Sequence, residues 1–61
     1  MVRQTTTIRK QQIIEAARKL IIDKGMEAVT IDAIAETVGF SEAAIYRHFS
    51  SKQQILHQLV N

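Results

Sequence analysis

Apolar residues recur along the chain at helical spacing. Ile13, Ala16, Ala17, Leu20 and Ile21 stand at i, i+3, i+4, i+7 and i+8, a single stripe on one face of a helix. A second stripe, Ile31, Ile34, Ala35 and Val38, repeats the same spacing over a shorter length. Ile45 and Phe49 form an i, i+4 pair, and Ile55, Leu56 and Leu59 follow. No stretch alternates apolar and polar over the length of a strand. The pattern therefore predicts an all-α domain of four helices.

The polar residues between the stripes place the boundaries. Thr5-Thr6-Thr7 offers an N-cap, which predicts a first helix from about Ile8 to Lys24. Gly25 stops it, with Lys24 well placed at the negative end of the helix dipole. Met26, Ala28 and Val29 are expected to pack as the chain turns. Thr30 caps a second helix that stops at Gly39, and Ser41 caps a third, from about Glu42 to Phe49. Ser50-Ser51-Lys52-Gln53 matches the S-x-x-Q capping box and opens a fourth helix. That helix reaches the last residue without a stop signal, so Asn61 reads as a cut point. Residues 1–7 read as a flexible N-terminal arm and residues 8–61 as one folded domain.

With 61 residues the chain has room for one small domain of marginal stability. Cysteine is absent, which excludes a disulfide. His48 and His57 sit on different helices at no metal-ligand spacing, so neither metal nor cofactor is expected. The apolar runs are too short to span a membrane. The N-terminus lacks a hydrophobic signal core, so a cytoplasmic protein is expected. The formal net charge of +2 is modest, but its distribution is uneven. Arg3, Arg9 and Lys10 open the chain without an acid. Glu27, Asp32 and Glu36 mark the middle, and positive charge returns at Arg47 and Lys52. Such asymmetry fits an anionic partner touching both basic regions, and it equally fits solvated faces.

Residues 31–50 carry the most specific signal. Two short helices joined at a steep angle need a small residue where they cross, supplied by Ala35. The turn needs a residue tolerant of positive φ, supplied by Gly39. The second helix needs an apolar side chain aimed at the first, supplied by Ile45. These features predict a helix-turn-helix, although an ordinary corner between helices makes the same demands.

With Ile45 and Phe49 inward, Glu42, Ala43, Ala44, Tyr46, Arg47 and His48 turn outward. The alanine methyls suit contact with thymine methyls, and Glu42 can accept from a cytosine amine. Tyr46, Arg47, His48 and Lys52 suit phosphate. The N-termini of the second and fourth helices, at Thr30 and Lys52, add backbone N–H groups that favour phosphate. No nucleophile–base pair, phosphate-cradling glycine loop or metal cluster points to an enzyme.

From about Ile13 to Leu56 the sequence resembles the N-terminal domain of TetR-type bacterial transcription repressors. The matching pieces are Ile13-Ile14-Glu15-Ala16-Ala17, Lys24-Gly25, Thr30 to Ala35, Val38-Gly39-Phe40-Ser41, and above all Ile45-Tyr46-Arg47-His48-Phe49-Ser50-Ser51-Lys52. The resemblance implies a small homeodomain-like bundle, and a homodimer on a palindromic operator in double-stranded DNA. It also implies repression relieved by a small-molecule effector. It places Ser41, Tyr46, His48 and Lys52 at phosphate and Glu42, Ala43 and Ala44 at bases, with Arg47 at either. Ala43 and Ala44 stand where glycine and hydroxyl residues are common, so fewer polar groups reach the bases. The C-terminal ligand-binding and dimerisation domain of such proteins is not expected within this sequence.

Several residues keep two readings. Glu42 reads cytosine or only favours the positive end of its helix. Tyr46 touches phosphate or packs its ring on the core. Arg3 and Arg9 follow a minor groove as a flexible arm or are simply disordered without DNA. The whole domain is alternatively a helical protein-interaction module, with exposed Ile or Leu of the fourth helix as its contact surface.

Overall fold

The structure, a computed structural model, describes residues 6–60. The elements are α1 (Thr6–Lys24), a 3-10 turn (Met26–Ala28), α2 (Ile31–Val38), α3 (Glu42–His48) and α4 (Lys52–Val60). The described residues form no strand, in keeping with the all-α expectation. α1 packs against every other helix and so organises the bundle.

Each helix contributes one fully buried isoleucine: Ile13 from α1, Ile34 from α2, Ile45 from α3 and Ile55 from α4. Val29, Ala16, Ala17, Ala35 and Phe49 complete the buried set, and Leu20, Ile21, Ile31, Val38, Leu56 and Leu59 pack around it. Burying one such isoleucine contributes roughly 1.5–3 kcal/mol. The stripes read from the sequence are the faces that meet here. No buried side-chain polar atom among the described residues lacks a hydrogen-bond partner.

The corner between α2 and α3 follows from a few local bonds. Gly39 takes the left-handed conformation, φ 81° and ψ 21°. Its N–H and that of Phe40 both donate to the Ala35 carbonyl, at 2.9 and 3.0 Å. One carbonyl of the last turn thereby takes both N–H groups and closes the helix end. Ser41 then caps α3, its Oγ accepting from the Ala44 N–H at 3.1 Å. Thr30 does the same for α2, accepting from the Ala33 N–H at 3.0 Å.

Four expectations shift. α1 begins at Thr6 rather than Ile8, so Thr6 and Thr7 lie inside the helix; Thr5 and the rest of residues 1–5 lie outside the described residues. Met26 does not pack: it is 56% exposed. The 3-10 turn rides on the surface, and Val29, extended just after it, takes the buried place. α3 ends at His48, one residue early. Phe49 is extended at φ −138°, though its N–H still donates to the Ile45 carbonyl. The side chain that closes the start of α4 is Gln54, not Gln53; its Oε1 accepts from the Ser50 N–H at 2.9 Å.

Candidate nucleic-acid interface

α3 has two sides. Ile45 and, just past the helix, Phe49 are buried, while Glu42, Ala43, Tyr46 and Arg47 are exposed. Positions i, i+1, i+4 and i+5 share one helical face, so these four side chains form one outward surface. Ala44 and His48, also spaced i, i+4, are half-buried and flank it. This departs from the expectation that all six turn outward. A helix resting on a core through Ile45 must tuck in the row beside it. Tyr46 is 50% exposed, so its ring is no core element.

The other expected residues sit at helix starts. Thr30 and Ser41 are exposed, and each spends its side-chain oxygen on a cap. Lys52 is half-buried in the first turn of α4. Between Gly39 and Asn61 the one acid, Glu42, stands against Arg47 and Lys52, a small positive excess. Acids lie elsewhere, as in the exposed Arg18–Glu15 pair on α1.

The fold also recruits residues that sequence reasoning left out of the site. Lys10 of α1 lines a shallow groove with His48, Phe49, Gln54 and His57, beside the end of α3. The Lys10 ammonium stands 5.8 Å from the centre of the Phe49 ring. Arg9, read as a possible arm residue, is part of α1, with its guanidinium 5.3 Å from the centre of the Phe40 ring. The basic opening of the chain was visible in the sequence; its docking on the two phenylalanines was not. The groove joins both histidines, but no cluster of three metal-ligating side chains occurs among the described residues. Helix α4 lacks the apolar surface that a protein-interaction module was expected to show. Ile55 is buried, Leu56 and Leu59 are half-buried, and only Val60 is widely exposed.

Compared with known proteins, residues 13–59 match the family model described as "Bacterial regulatory proteins, tetR family". The chain belongs to the TetR family. The matched stretch contains the whole corner and α3, and it is the family's helix-turn-helix DNA-binding domain. The HTH-type transcriptional repressor AcnR of Corynebacterium diphtheriae is 41% identical over 49 residues, covering 80% of this chain and 26% of that protein. The biofilm operon icaADBC HTH-type negative transcriptional regulator IcaR of Staphylococcus aureus is 41% identical over 51 residues, covering 84% of this chain and 27% of its own. The nucleoid occlusion factor SlmA of Haemophilus ducreyi is 36% identical over 61 residues, covering 98% and 30%. The chain thus spans less than a third of these TetR-family relatives. No solved structure matched it.

Proposed function

We propose that this TetR-family domain binds double-stranded DNA in a sequence-selective way, with α3 in the major groove, as part of a transcriptional repressor. The single observation that carries the reading is the outward face of α3. It is free of core duties, bordered by cations, and fixed to α2 by the Gly39 corner. Glu42, Ala43 and Ala44, near the start of α3, meet base edges. Ser41, Tyr46, His48 and Lys52 meet phosphates, Thr30 does so from the start of α2, and Arg47 reaches either. Repression is favoured by the names of two relatives, AcnR and IcaR.

A single module of this size buries roughly 600–1,000 Å² on DNA, which gives weak binding alone. Two copies on a palindromic operator supply the rest, and dimerisation and an effector site fall to the portion by which relatives exceed this chain. The domain works by binding rather than catalysis, in the cytoplasm; no helix among the described residues is long and apolar enough to cross a membrane.

Duplex titration by fluorescence anisotropy at several salt concentrations tests this. The logarithm of the binding constant should fall linearly with the logarithm of salt, by about 0.9 per phosphate neutralised. Lys52→Ala should weaken every duplex by a similar factor, whereas Glu42→Gln and Ala44→Ser should change the ranking of duplexes. Affinity that stays flat between low and moderate salt rejects the proposal. Equal effects of both kinds of substitution on every duplex reject the division of roles.

A further inference from the structure

We propose that Arg9 and Lys10 are positioning residues, a cationic clamp at the start of α1 that holds both ends of α3 and sets its angle on DNA. The inference rests on the DNA-binding reading above. Both cation–ring contacts among the described residues bracket the same helix. Phe40 lies just before the cap of α3 and Phe49 just after its last turn. The helix between them rises about 10 Å over its length. Adjacent residues on a helix diverge by about 100°, so consecutive positions of α1 are able to reach two separate anchors.

α3 needs such a restraint. It has seven residues, far short of a length that stands alone in water. Within those seven, only Ile45 is buried. The Gly39 corner before α3 and the buried Phe49 after it are what tether its two ends. Each cation–ring contact braces one of those tethers, at Phe40 and at Phe49. Base reading depends on angle, because Glu42 and the two alanine methyls must meet particular base edges, whereas phosphate contacts position the protein without reading sequence. The clamp therefore acts on selectivity more than on total affinity.

Arg9→Met and Lys10→Met remove the charge and keep a long apolar stem. Each should weaken the preferred duplex roughly two- to five-fold, the range for one exposed cation–ring contact. Binding to unrelated duplexes and the salt slope should barely move. Arg9→Lys and Lys10→Arg should restore most of the selectivity. Arg9→Met combined with Phe40→Leu should lose no more than the larger single loss. Equal weakening on every duplex, with the salt slope shallower by about 0.9 per substitution, overturns the proposal and makes these residues phosphate ligands.

A second measurement needs no DNA. The Ile45 N–H donates to the Ser41 carbonyl and the Phe49 N–H to the Ile45 carbonyl, so their hydrogen exchange reports on α3. Exchange at both should quicken in the methionine variants relative to amides of α1 and α4. Unchanged exchange overturns the clamp. A chain that binds no duplex at all overturns the DNA-binding reading instead, and the exchange result still decides the clamp.

Discussion

Replacing Gly39 separates torsional strain from crowding at the corner that aims α3. Its φ of 81° lies in the left-handed region, and a Cβ built there meets nothing within 4 Å. Alanine therefore costs only the backbone strain of an L-residue in that region, about 1–2 kcal/mol. A stiffer unfolded chain offsets about 0.4–1 kcal/mol of this, leaving a net loss of about 1 kcal/mol. In a domain of this size that lowers the melting temperature by about 4–8 °C. Thermal unfolding followed by circular dichroism at 222 nm reads the shift. Asparagine is bulkier than alanine yet tolerates the left-handed region better. Stability should thus fall in the order Gly, Asn, Ala, Val. If asparagine proves more damaging than alanine, space rather than torsion governs the corner and the reasoning fails.

Other substitutions test the core, the caps and the pairing of copies. Ile45→Ala should cost about 2–5 kcal/mol and Ile45→Val about 0.5–1.5 kcal/mol, so chemical denaturation should find the alanine variant largely unfolded and the valine variant folded. Ser41→Ala removes the bond to the Ala44 N–H and should cost about 1 kcal/mol by the same assay. Gel-shift titration should show tighter binding to a palindrome with half-sites about one helical turn apart than to one half-site; equal affinity would argue against pairing of this domain on DNA.

Much of the fold was legible because each stripe answers to one buried face. Ile13, Ile34, Ile45 and Ile55 all carry the apolar positions from which the helices were read. Caps were equally legible at Thr30 and Ser41, where one hydroxyl precedes one stripe. The pattern misled where neighbours compete. Two serines followed by two glutamines leave the start of α4 open by one residue, and the structure uses Gln54. Phe49 keeps the i, i+4 spacing and the hydrogen bond of a helix, so only its dihedral angles reveal the end. Met26 is apolar but lies in a turn that buries nothing, a result set by the path of the chain. At the candidate interface, periodicity gave Glu42, Ala43, Tyr46 and Arg47 as outward. Whether Ala44 and His48 flank or face outward depends on how deeply α3 sits. The contacts of Arg9 and Lys10 link residues some thirty to forty positions apart in the chain, and local spacing carries no record of them.

The single isoleucine that α3 gives to the core has an evolutionary consequence. Glu42, Ala43, Tyr46 and Arg47 share no buried position with Ile45. Exchanging such exposed residues usually changes stability by no more than about 0.5 kcal/mol. A duplicated gene is thereby free to drift towards a new target sequence through intermediates that all remain folded. Under the proposed reading, exchanges at the exposed Glu42, Ala43 and Arg47 redirect recognition without touching the core, whereas the half-buried Ala44 ties recognition to packing.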